Sequence, residues 1–152
     1  EFRRVLFRSE SLPLGPEWSL ANSSTGRARV TTEFGSIEGK QHLVLDDSVN
    51  DAVSAPAQAI LRVNLANRKN LVLQYAVKNL GNEPDWPFGG PAGGPALYDG
   101  VSTSTNEGET WTLVGNLLPS GAEAITNRIQ LDGYLSRFRR PLLPDVLIRF
   151  SE

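Results

Sequence analysis

Residues 59–65, AILRVNL, and 71–78, LVLQYAVK, decide the fold of this 152-residue chain. In the first, Ala59, Leu61, Val63 and Leu65 alternate with Ile60, Arg62 and Asn64. In the second, Leu71, Leu73, Tyr75 and Val77 alternate with Val72, Gln74, Ala76 and Lys78. A period of two sends successive side chains to opposite faces of a strand, so one set meets a core and the other meets solvent or a second layer. The same alternation returns near the end, with Val146, Ile148 and Phe150 set against Leu147, Arg149 and Ser151. Working outward, segments 18–22, 27–32, 41–45, 100–104, 110–115 and 124–131 read as further strands. The gaps between them hold the Gly, Asn, Asp, Pro and Ser that turns require. Two stretches admit a helix: 51–58, at most a short turn because of Pro56, and 132–140, a short helix ahead of Pro141. Short strands without intervening helices predict an all-β antiparallel sandwich or barrel. No internal repeat appears, which argues against a propeller or solenoid. The expected core is Leu43, Leu45, Leu61, Val63, Leu71, Leu73, Tyr75, Val101, Trp111, Ile148 and Phe150.

Composition narrows the function. The chain is 39% hydrophobic with a net charge of −2, too apolar and too nearly neutral for a disordered segment. It also lacks the basic stripe of a nucleic-acid binder. No apolar run reaches the ~18 residues of a membrane helix. Cysteine is absent, which removes disulfides, thiolate metal sites and cysteine nucleophiles. A lone histidine, His42, removes two-histidine zinc sites and, with no G-x-S-x-G elbow, reads as a surface strand residue rather than a triad base.

The chain starts EFRRVLFRS and contains no methionine. Leu6-Phe7-Arg8-Ser9 is what CTCTTCCGATCT encodes, the end of a sequencing adapter. Residues 1–9 are therefore expected to be adapter-derived sequence joined to part of a longer gene, with a genuine basic arm as the alternative. Residues 1–16 are set aside as a non-domain segment, and 17–152 are read as one β-sandwich domain.

Several stretches carry candidate chemistry. Segment 81–98, GNEPDWPFGGPAGGPALY, holds four prolines and five glycines, which forbid regular structure. Loops of this length are often functional, and its aromatics favour an ordered loop over a floppy insertion. Asp46-Asp47-Ser48-Val49-Asn50-Asp51 crowds oxygen ligands into a loop, but the spacing is not that of an EF-hand. Gly89-Gly90-Pro91-Ala92-Gly93-Gly94 lacks the Lys-Ser/Thr of a phosphate loop. Asn22-Ser23-Ser24 matches the glycosylation sequon, a weak signal that depends on the host. Glu83-Pro84-Asp85 resembles the start of the E-x-D-x-x-E strand of laminarinase-type glucanases. The sixth position is Phe88, however, and Pro84 and Pro87 oppose a strand. Ser104-Thr105-Asn106-Glu107-Gly108-Glu109-Thr110-Trp111 resembles an Asp-box with Asn106 in place of Asp. In sialidases this box is a structural hairpin turn, and a turn is the reading here.

In order, Gly26-Arg27-Ala28-Arg29-Val30, Leu43-Val44-Leu45-Asp46-Asp47-Ser48, the 59–65 and 71–78 strands, Asn82-Glu83-Pro84-Asp85, Asp99-Gly100-Val101, the turn to Trp111 and Val146-Leu147-Ile148-Arg149-Phe150 resemble a jelly-roll domain. The likeness is to MAM-like and concanavalin A-like lectin modules appended to large secreted bacterial proteins of planctomycete type, and it covers about residues 17–152. It implies a jelly-roll sandwich with a further strand after Glu152. It also implies an acidic cation site, here Asp46, Asp47, Glu83, Asp85 and Asp99, holding a structural calcium ion. The expected function is a non-catalytic accessory or adhesion module of an extracellular protein, whose partners are neighbouring domains of the same polypeptide and a glycan or cell-surface protein. The alternative is a carbohydrate-binding module that stacks sugars on Trp86, Phe88 and Tyr98. A third reading is a glycoside hydrolase fragment using Glu83 and Asp85.

Overall fold

The period-two segments fold as antiparallel strands. The computed structural model describes residues 14–35, 39–49, 56–66, 68–78, 99–117, 124–135 and 145–151. Residues 1–9 and the segment 81–98 lie outside them. Strands β1 (Trp18–Asn22), β2 (Gly26–Thr31), β3 (His42–Asp47), β4 (Ala57–Asn64), β5 (Val72–Val77), β6 (Gly100–Ser104), β7 (Thr112–Asn116), β8 (Ile125–Gln130) and β9 (Asp145–Ser151) fall within two residues of the sequence reading at nearly every end. One helical turn, α1 (Asp132–Leu135), follows β8, and the rest of the expected 132–140 helix lies outside the described residues. Asp132 Oδ2 accepts hydrogen bonds from Leu71 N–H (2.8 Å) and Gln130 Nε2 (2.6 Å), tying this turn to the start of β5.

The main sheet has the order β1-β4-β9-β6-β7, and β2–β3 and β5–β8 form two-stranded sheets. Pairing is antiparallel throughout. On the inner face of the main sheet Ala59 and Val101 flank Phe150, Leu61 faces Ile148 and Val63 faces Val146. The β5–β8 ribbon lies over that face. Tyr75 meets Phe150 edge-on with ring centroids 5.7 Å apart, and Trp18 stacks on Phe150 at 6.3 Å. Gly115 in β7 permits this approach, because a Cβ there would sit 2.5 Å from Ile129 Cδ1 and 2.9 Å from the Tyr75 hydroxyl. Burial between the ribbon and the main sheet pushes the pKa of the Tyr75 hydroxyl up to about 12.

Of the expected core, Leu61, Leu73, Val101, Ile148 and Phe150 are buried, and Leu45, Val63, Leu71 and Tyr75 pack against them half-buried. Val114, Leu131 and Val146 complete the cluster.

Two expectations change. In β3 it is Val44, 6% exposed, that is buried, while Leu43 and Leu45 are half-buried, because this strand is covered on both faces. Trp111 is half-buried and lies against Arg149, whose guanidinium sits 4.2 Å from its ring centroid. Arg149 alternates with Ile148 and Phe150, so Trp111 covers the opposite face from the core. That outer face is itself shielded. Ser102, Ser104, Leu147, Arg149 and Ser151 are all buried on it, so β6 and β9 are covered on both sides.

Candidate functional site

The acidic candidates do not share one sheet. Asp46, on β3, faces Arg27 of β2. Arg27 grips it with two bonds, Nε to Oδ1 at 3.0 Å and Nη2 to Oδ2 at 2.7 Å. Arg29 Nη2 approaches the same Oδ2 to 3.5 Å, and its Nη1 donates to Glu33 at 2.8 Å. Asp47 closes β3 opposite Gly26. Asp99 immediately precedes β6 and is 5% exposed. Glu83, Asp85, Trp86, Phe88 and Tyr98 lie outside the described residues. Among the described residues, no three His, Cys, Asp or Glu side chains converge on a point that would hold a metal. A cation at Asp46 would compete with the Arg27 and Arg29 guanidinium groups.

The β6–β7 turn shows what the Asp-box-like sequence does. Ser104 Oγ accepts from Asn106 N–H at 3.3 Å and Gly108 N–H at 2.9 Å, and donates to Asn106 Oδ1 at 2.9 Å. Asn106 Oδ1 also accepts from Thr110 N–H at 3.0 Å, while its Nδ2 donates to Thr110 Oγ1 at 3.0 Å. With Asn the amide donates to the Thr110 hydroxyl; an Asp here would instead accept from that hydroxyl, so either residue closes the turn. Glu107 and Gly108 take φ of 58° and 87°, closing the hairpin. The turn folds over the outer face, where a Cβ on Gly108 would touch Trp111 at 3.4 Å and Leu147 at 3.7 Å.

Two groups here are not evident from sequence. Arg62 of β4 forks onto Glu107 at 2.6 and 2.9 Å and approaches Asp145 to 3.5 Å. These partners lie 45 and 83 residues away, and only the β4–β9–β6 order brings them together. The Arg62 hydrogen bonds hold the Glu107 carboxyl below its usual range, and Glu107 raises Arg62 in turn. Beneath them Arg149, 4% exposed, donates from Nε to Ser102 Oγ at 3.1 Å while stacking on Trp111. Guanidinium stacking plus a hydroxyl acceptor is how a buried arginine keeps part of its solvation.

His42, expected as a surface strand residue, is half-buried on β3. It lies opposite Thr31, and both of its ring nitrogens are buried without a hydrogen-bond partner. Its pKa is lowered, first by burial and then by the charges of Arg29 and Lys78.

At the tip of the β2–β3 hairpin, Phe34 holds φ of 65°, rare for a bulky residue, and is 52% exposed. No protein-family model matches this chain, and no curated protein and no solved structure matches it.

Proposed function

We propose that this chain is a non-catalytic accessory or adhesion module of jelly-roll type within a larger extracellular protein. In this reading it binds its partner through the loops at one end of the sandwich. The observation that carries the reading is Phe34, an exposed aromatic held in a strained backbone conformation at a hairpin tip. Strain of this kind persists where a side chain is displayed for contact. The chain leaves β5 at Lys78, close enough to His42 of β3 to oppose its charge. The charged side chains described above serve structure instead: Asp46 binds Arg27, Glu107 binds Arg62, and Asp132 caps the start of β5. Secretion and neighbouring domains as partners follow from the lectin-module resemblance.

A glycan array run beside a β-glucan hydrolysis assay tests this. The module reading expects no reducing ends. Hydrolysis abolished by Glu83→Gln or Asp85→Asn would replace it with the hydrolase reading. Glycan binding lost in Trp86→Ala but kept in Phe34→Ala would replace it with the carbohydrate-binding alternative. A structural calcium ion belongs to this proposal, with Asp46, Asp47, Glu83, Asp85 and Asp99 as its candidates. A cation held only by the folded chain adds about 2.7 kcal/mol at a hundredfold excess over Kd. Thermal melts with calcium and with chelator should therefore separate, and superimposed curves remove the ion.

A further inference from the structure

We propose that protonation of His42 is an acid trigger that loosens the β2–β3 hairpin while the five-stranded sheet stays folded. Strand pairing joins β2 to β3, but neither strand pairs with a strand of the other two sheets. Among the described residues, Ala28 N–H of β2 donates to Asn22 Oδ1 of β1 at 2.8 Å, and Leu45 of β3 packs half-buried against the main core. The hairpin is therefore a unit able to open without breaking the main sheet.

Within it, His42 is poorly placed to carry charge. Both ring nitrogens are buried and unbonded, so a proton gained there finds no acceptor. The charged groups facing it, among the described residues, are Arg29 of β2 and Lys78 beyond β5, both cationic. The nearby acids Glu33 and Asp46 are bound to Arg29 and do not hydrogen-bond the imidazole. Neutral His42 costs the fold two unsatisfied nitrogens, and charged His42 adds repulsion from two cations.

The direction of the pH effect follows. The folded hairpin holds His42 below its ordinary value of 6.5, so below that pH the opened hairpin binds more protons than the closed one. The stability is present above pH 6.5 and is lost as pH falls towards the folded-state value.

Because His42 is the chain's one histidine, its ring resonances need no assignment by mutation. The test combines an NMR titration of that ring with hydrogen exchange of the whole chain between pH 7.5 and 5.5, corrected for intrinsic rate. The expected result is a His42 pKa below 6.5 and an opening constant for 26–31 and 42–47 that rises by up to about tenfold over this range. The main-sheet strands should change far less. His42→Leu, which removes both unsatisfied nitrogens, should abolish the pH dependence, and His42→Gln should abolish it without adding apolar bulk. A ring that titrates at or above 6.5, or an opening constant that rises equally in wild type and either variant, overturns the proposal.

Discussion

The middle of the main sheet and the β2–β3 hairpin solve the same problem differently. β6 and β9 are buried on both faces, yet most polar groups there have partners: Arg149 has Ser102 and Trp111, Ser104 has the turn amides, and Ser151 Oγ reaches Gly100 O at 3.5 Å. Thr103 Oγ1 is the exception. The hairpin has two-sided cover as well, but pairs its charges at the exposed rim and leaves Arg29 Nε and both His42 nitrogens unbonded inside. Burial alone does not make a rigid element; burial with paired polar groups does. The main sheet should therefore carry the global stability, and the hairpin should open first.

The severest test of that contrast is Phe150→Ala. It removes the ring that Trp18 and Tyr75 both contact and should cost about 3 to 5 kcal/mol in chemical denaturation, with the whole domain unfolding together. A loss confined to β1 would break the comparison. Gly115→Ala forces a methyl into Ile129 and the Tyr75 hydroxyl and should cost about 1 to 3 kcal/mol, with β5–β8 amides losing most protection. An unchanged midpoint would mean that the ribbon does not lie on β7. Ser104→Ala leaves two turn amides and Asn106 without their shared oxygen, for about 1 to 3 kcal/mol, and Ser104→Thr should restore part of it. Arg27→Ala, at the exposed rim of the hairpin, should cost less than about 1 kcal/mol, a difference that shrinks further in molar salt. A larger effect would make the hairpin's surface pairs as important as the main sheet's interior.

Much of this architecture was legible in the sequence, for physical reasons that differ by strand. The 59–65 and 71–78 segments face one core, so alternation marked their inner residues: Leu61 and Leu73 are buried while Arg62 is exposed. In β9 the alternation named the inner set but was silent on the outer one. Arg149 and Ser151 could face solvent or a second layer, and the fold buries both. Trp111 was misplaced for the same reason: an aromatic after a turn suggests packing, but sequence does not say on which face. His42 was read as a surface strand residue because its own segment shows neither the burial of its ring nitrogens nor the approach of Lys78, 36 residues away. The acidic candidates illustrate the opposite limit. Asp46 was read as a candidate cation ligand, and its cross-strand pairing with Arg27, 19 residues earlier, was not visible in one dimension. The turn at 104–111 was read correctly because the hydrogen bonds that close it, between Ser104, Asn106, Gly108 and Thr110, are local.

Residue-resolved hydrogen exchange at pH 7.5, across a series of low denaturant concentrations, tests the uneven division of stability most directly. The account predicts that amides of β4, β6 and β9 exchange only through global unfolding, with opening free energies that converge on one value and fall steeply with denaturant. Amides of β2 and β3 should open at a clearly smaller free energy, with a shallow denaturant dependence. Equal opening free energies and equal slopes in the hairpin and the main sheet would contradict it.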